Sequence, residues 1–282
     1  MKRNLNLLTL ALATLVLTTF TQCKKESSAP PDYSIETTNF NELSKVLKFG
    51  NSSTVSGTLP TAASTNTVQV TFDPTMSVST GGATTYIPLV FTGTENVLKA
   101  FIMVQGATIH YFSYSIPTPI ANGIVYVPMT VPKSVNSGSF KLEILLVGAG
   151  NKIVGSRKLV VPVKVGKGIT CADNKTINGN DGITQTLHVL DGKAGNVTID
   201  WETYSVPDRV DVFLDGQWVA GTGSTIAPPP PLCDCSSPLP GFVGDNGTFT
   251  IPVTSSNRNL EVYVSGCLGG GTAWTYTFNC PN

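Results

Sequence analysis

The reading of the fold turns on Val197–Trp218, VTIDWETYSVPDRVDVFLDGQW. Val197, Ile199, Trp201 and Thr203 fall on one side of an extended chain, with Thr198, Asp200 and Glu202 on the other. A period of two is what a strand shows when one face packs on a core and the other meets water. At Tyr204-Ser205-Val206-Pro207-Asp208 the chain must turn or run on an edge, because proline has no N–H for a sheet ladder. Val210, Val212 and Leu214 then resume the inward side. Asp215-Gly216 is a hairpin signal, since a type I′ turn needs positive φ at both central residues, and Gln217–Ala220 reads as the return strand. Two strands, a corner and a tight turn in so short a stretch predict an antiparallel β-sandwich.

Outward from this stretch, the N-terminus is of a different kind. Lys2 and Arg3 precede an apolar run from Leu5 to Phe20, which is short and threonine-rich for a membrane span and has the pattern of a secretory signal. Phe20-Thr21-Gln22-Cys23 followed by Lys24-Lys25-Glu26 resembles the lipobox of bacterial lipoproteins, in the loose form of Bacteroidetes, with Gln22 in place of the usual small residue. The resemblance implies a signal peptide over 1–22, a lipidated Cys23 and anchoring in the outer membrane, facing the cell surface. Two acyl chains hold firmly because each buried methylene contributes roughly 0.8 kcal/mol. Residues 23–51 read as the tether, with a short helix within Asn39–Phe49 capped by Asn39.

Charged residues make up 13% of the 282, about half the usual share, and the formal net charge is zero. The basic footprint of a nucleic-acid binder is absent. The length suits two domains, placed at 52–166 and 167–282. In the first, strand-like segments recur at Val68–Phe72, Tyr86–Phe91, Val97–Val104, Ile109–Ile116, Ile124–Val131, Phe140–Val147 and Leu159–Val165. Phe140, Leu142, Ile144 and Leu146 against Lys141 and Glu143 is the cleanest alternation. The segment SFKLEILLVGAGNKIVGSRKLVVPVKV resembles the closing hairpin of bacterial Ig-like domains, with its turn at Gly148–Asn151. Pro88, Pro128 and Pro162 are expected on edge strands.

The second region holds Cys171, Cys233, Cys235, Cys267 and Cys280, five cysteines that imply two disulfides and one thiol in an exported domain. A Cys171–Cys280 bridge would tie its first strand to its last. Cys233 or Cys235 with Cys267 would staple the proline-rich loop APPPPLCDCSSPLPG, Ala227–Gly241. The Cys-Asp-Cys spacing lacks the two-residue gap common in structural zinc sites. Tyr204-Ser-Val-Pro-Asp-Arg-Val, Val212–Gly216, Gly221-Thr-Gly223 and Gly271-Thr-Ala-Trp274-Thr-Tyr276 together resemble a module found at the ends of bacterial surface proteins. That resemblance covers roughly 171–280 and implies a jelly-roll-like sandwich. The expected class is therefore all-β, two tandem antiparallel sandwiches, Ig-like and then jelly-roll-like.

No GxSxG elbow is present, and His110 and His188 each sit inside an apolar strand pattern. Asp200 and Glu202, with Asp208, Asp211 and Asp215 after them, read as carboxylates on a wet strand face, so no enzyme is expected. Asn178-Gly-Asn180-Asp181-Gly182, with Asp173 nearby, has oxygen ligands that suit a structural calcium and is equally ordinary turn chemistry; no other cofactor is implied. Trp218 follows a hairpin turn, and Phe213 and Tyr263 point away from the inward positions of their strands; exposed aromatics of that kind stack on sugars or anchor protein partners. Trp201 and Trp274 read as core. The expected role is non-catalytic: an accessory subunit of an outer-membrane or surface assembly, with glycan binding as the alternative.

Overall fold

The computed structural model describes residues 34–80, 84–171, 175–180, 182–224, 239–267 and 271–281, and among these the chain is almost entirely β. Helix α1 (Phe40–Val46) has Asn39 as its cap, whose side-chain oxygen accepts the Glu42 N–H at 3.4 Å. None of the described helices is long and apolar enough to cross a membrane.

The first half contributes β1 (Ser53–Ser56), β2 (Val68–Val70), β3 (Met76–Ser79), β4 (Thr84–Gly93), β5 (Val97–Val104), β6 (His110–Ile120), β7 (Gly123–Thr130), β8 (Gly138–Val147) and β9 (Leu159–Gly166). The second contributes β10 (Ile169–Thr170), β11 (Lys175–Asn180), β12 (Ile183–Val189), β13 (Gly195–Glu202), β14 (Asp208–Leu214), β15 (Gln217–Gly221), β16 (Asn246–Val253), β17 (Asn259–Gly266) and β18 (Ala273–Asn279). The sequence-stretch expectations at the hairpins hold in detail: Asp215 and Gly216 have φ of 47° and 82°, and the β8–β9 connection turns through Ala149–Asn151.

Three sheets result. The longest runs β1-β6-β5-β8-β9-β3-β12-β17-β14-β15, with β10 beside β12. It crosses from one half to the other through β3, which pairs in parallel with β9 (Met76 opposite Val163) and with β12 (Met76 opposite Ile183). Residues from Ser34 onward thereby form one compact unit. A three-stranded sheet, β2-β4-β7, and a four-stranded sheet, β11-β18-β13-β16, are separate from it.

Cross-strand register shows that these two smaller sheets cover opposite faces of the long one. Ile102, Ile144, Val161, Val163, Met76, Ile183, Tyr263 and Phe213 follow one face from β5 to β14 and share a core with Ile87, Leu89, Val127 and Met129 of β4 and β7. On the other face, Val210, Val212, Leu260, Val262 and Val264 pack with Val197, Ile199, Trp274, Tyr276 and Phe278 of the four-stranded sheet. Each sandwich thus uses a different side of one shared layer.

The proline expectation needs correction for two residues. Pro128 is on β7, an edge of its sheet, but Pro88 and Pro162 lie in β4 and β9, which have neighbours on both sides. Both are tolerated because the second ladder does not reach them. β2 pairs with β4 over Phe91–Gly93, and β3 meets β9 from Val163 onward.

Candidate functional site

The aromatic platform anticipated from the alternation is not on the surface. Phe213 and Tyr263 are 2% and 3% exposed and meet edge to face at 5.4 Å. They do point away from Val212 and Val264, but the face they point to is covered as well, by the core of the β4/β7 side. The Tyr263 hydroxyl donates to the Thr84 carbonyl at 2.6 Å and to Glu261 at 3.1 Å. Trp218 is partly buried, and its indole N–H donates to Asp211 at 3.0 Å. Trp274 is core, while Trp201 is partly covered and stacks on Phe249 at 5.6 Å.

Cys171 and Cys280 form a disulfide with Cα atoms 5.5 Å apart. It joins the end of β10, in the long sheet, to the end of β18, in the four-stranded one. Cys267 is buried beside Phe242, with its sulfur 2.9 Å from the Pro207 carbonyl. Cys23, Cys233 and Cys235 lie outside the described residues, as do Asp173 and Asp181 of the calcium reading. Asn178-Gly179-Asn180 is not a turn: it runs in β11, paired with Thr275, Trp274 and Ala273. The glycine is needed there because a Cβ would lie 2.1 Å from the Trp274 ring, and the Asn180 carbonyl accepts the Trp274 N–H at 3.2 Å. No group of three or more metal-ligating side chains occurs among the described residues.

The two histidines are structural in placement. His188 is fully buried, stacked on Phe278 at 3.8 Å and hydrogen-bonded to the Tyr276 hydroxyl at 3.0 Å. Burial holds its imidazole down to a pKa of about 3. His110 lies 3.1 Å from the Ser44 hydroxyl, but Ser44 is itself inaccessible, so no substrate carbonyl could reach that pair. Among the carboxylates, Asp211 is buried rather than wet, held by Arg209 through two bonds of 2.7 and 3.0 Å. Arg209 also donates to the Ser224 and Pro240 carbonyls, at 2.9 and 3.1 Å, and so clamps the base of the proline-rich loop.

What the structure offers instead is a groove of about 620 Å³. Its position follows from the offset of the smaller sheets. The four-stranded sheet covers one face of the long sheet only over the second half, and its edge strand β11 makes a wall, with Asn178, Gly179 and Asn180 lining the groove. The long sheet is the floor: Thr75 and Ser77 at β3, Ser139 and Lys141 on β8, Pro162 and Lys164 on β9, and Thr184 on β12. Gln105, Thr38 and the half-buried Phe40 close the far end. Among the described residues the lining mixes hydroxyls, amides and two ammonium groups with the apolar residues Phe40, Met76, Phe140, Pro162, Val163 and Ile183, and an edge strand supplies backbone donors and acceptors beside them.

The sequence already put Lys141 on the polar face of its strand, and the VPVKV alternation does the same for Lys164. That these positions form a floor depends on where β3 and β11 go, which neither alternation specifies.

No family model matches the chain, and no curated protein matches it. Solved structures similar to it include the secreted serine protease VesC from Vibrio cholerae, at 9% identity and a TM-score of 0.28, over 75% of this chain and 50% of that one. The SGBP-B protein of the Bacteroides ovatus mixed-linkage glucan utilization locus, in complex with a mixed-linkage heptasaccharide, is 12% identical with a TM-score of 0.24, over 75% and 53%. A carbohydrate-binding module of the β-sandwich superfamily is 10% identical with a TM-score of 0.19, over 76% and 97%. The chain spans about half the length of the first two.

Proposed function

We propose that this is a non-catalytic envelope lipoprotein, anchored through Cys23, that binds an oligosaccharide in the groove between β11 and the long sheet. The groove lining carries the reading. Hydroxyl and amide side chains match the alternating donors and acceptors of a sugar, Phe40 offers a ring for a pyranose face, and no carboxylate or histidine lines the groove among the described residues. Glycosidic cleavage needs an acid–base pair of carboxylates, so retention without turnover is the chemistry such a lining suits. The test is a glycan array probed with the protein lacking residues 1–22. Binding that falls about tenfold in Asn178→Ala or Phe40→Ala, roughly 1.4 kcal/mol, and is unchanged in Trp218→Ala supports the groove. A blank array overturns it.

A second reading, an accessory subunit of an outer-membrane assembly, is favoured by β15. This strand ends the long sheet, and it carries the 38%-exposed Val219 next to the partly covered Trp218. An edge of this kind suits strand addition by a partner. Mild-detergent purification of the tagged protein distinguishes the two: a stoichiometric integral outer-membrane protein lost on Val219→Lys favours the subunit, and recovery of the chain alone favours the glycan.

A further inference from the structure

We propose that the groove selects acidic oligosaccharides, those bearing carboxylate or sulfate groups, through Lys141 and Lys164; this rests on the oligosaccharide reading above. Among the described residues lining the groove, these two lysines are the only charged ones. Lys141 on β8 is opposite Pro162 on β9, so Lys164 is its diagonal neighbour on the same face. Diagonal positions are roughly 7–8 Å apart, close enough for both ammonium groups to meet one anionic substituent or two on successive sugars.

Nothing described in the fold uses up this charge. Both lysines are exposed, and neither is in an ion pair among the described residues. The carboxylate next along the same face of β8 is Glu143, and it is already engaged, by Lys158 at 2.7 Å and by the Gln105 amide at 3.0 Å. A chain with zero formal net charge thus places two positive charges, in no ion pair among the described residues, in this groove. Two lysines are too few for the counterion-driven hold that nucleic acid requires, and the amides and hydroxyls around them address sugar hydroxyls between the acidic groups.

The experiment is calorimetric titration of the protein lacking residues 1–22 with an oligogalacturonate and with its fully methyl-esterified counterpart, each at low and at high salt. The acidic form is expected to bind about tenfold more tightly, with the advantage shrinking as salt screens it. Lys141→Gln and Lys164→Gln together should remove the preference while leaving the weaker neutral binding in place. Both positions are solvent-exposed, and a thermal melt of the double variant verifies that it is folded. Equal affinity for the two forms overturns the charge selection and leaves the oligosaccharide reading standing, and so does a preference that survives the double substitution. Titration of an acidic peptide that matches or exceeds the oligogalacturonate would reassign the lysines to a protein ligand. If neither saccharide binds, the charge selection is overturned, and the glycan array decides the oligosaccharide reading separately.

Discussion

The two faces of β12, β14 and β17 solve the same problem by different means. Toward β13 and β18 the residues are Val210, Val212, Leu260, Val262 and Val264, and burial is mainly apolar, with Thr186 and His188 of β12 buried among them and His188 held by the Tyr276 hydroxyl. Toward β4 and β7 they include Arg209, Asp211, Glu261, Gln185 and Tyr263, nearly all buried, and each finds a partner: Arg209 with Asp211, Gln185 with Glu261 at 3.2 Å, Tyr263 with Glu261 and the Thr84 carbonyl. The apolar face is stabilised in proportion to area removed from water. The polar face is stable only while its network is complete, because a single broken pair strands a desolvated group. An alternating strand therefore says which residues share a face. It does not say that the polar face is wet.

The sharpest way to break this comparison is Arg209→Met. With Asp211 left as an uncompensated buried charge, and with the Ser224 and Pro240 carbonyls losing their donor, the expected loss is about 3–5 kcal/mol in chemical denaturation. Arg209→Met with Asp211→Leu should recover much of it. On the opposite face, truncating Leu260 and Val262 together should only compound the losses, since each leaves its own cavity. A double variant on the polar face no better than Arg209→Met alone would refute the network account. Next in size is the Cys171→Ser, Cys280→Ser pair. The bridge spans 109 residues and links the two sheets of the apolar sandwich, so its removal is expected to cost about 3 kcal/mol. Faster hydrogen exchange should appear in β10 and β18 before it appears in β4 and β7.

How much of this was legible in the sequence depends on the element. The hairpin at Asp215-Gly216, the Asn39 cap and most strands of the first half announce themselves through local chemistry, positive φ, a capping oxygen and period-two alternation. The strand that joins the halves does not. β3 is four residues, MSVS, too short for a periodic signal, and its partners are distant in the chain. Without β3, the faces of β14 and β17 toward β4 and β7 look open, and Phe213 and Tyr263 look like a binding platform. Likewise, Asn178-Gly179-Asn180 has turn composition, and only the Trp274 ring pressed against Gly179 explains a glycine inside a strand. The groove combines both blind spots, since β3 lies in its floor and β11 forms its wall.

The faces should also answer pH with opposite signs. His188, on the β13/β18 side, has its pKa lowered by burial from 6.5 to about 3. Between those values the unfolded chain holds more protons than the folded one, so stability is complete above pH 6.5 and lost as pH falls. From pH 7 to pH 5 the loss is about 2 kcal/mol. Glu261, on the β4/β7 side, has its carboxyl raised by burial, partly offset by the hydrogen bonds from Gln185 and Tyr263. Its contribution is complete below the ordinary glutamate range and is lost as pH rises through the elevated value. Glu261→Gln should therefore remove the stability loss that accompanies rising pH through the elevated glutamate value and leave the loss at falling pH to His188. An acid limb with no midpoint shift across pH 7 to 5 would mean that His188 is not held neutral.

The smallest effect expected is that of Tyr263→Phe, and it asks whether the polar face needs every member. The ring stays against Phe213, so apolar burial is conserved and only the hydroxyl is lost. That hydroxyl donates to the Thr84 carbonyl on β4 and to Glu261 on its own strand, linking the three-stranded sheet to the long one. A net hydrogen bond is worth about 1 kcal/mol, and the two acceptors left behind raise the cost toward 2 if water cannot enter. A value near 1 with a steeper stability loss as pH rises through the Glu261 titration would show Glu261 losing one of the bonds that eases its ionisation. A value near zero would instead show that the carbonyl of Thr84, at the start of β4, is reached by solvent, and that the contact between these sheets is carried by the rings alone.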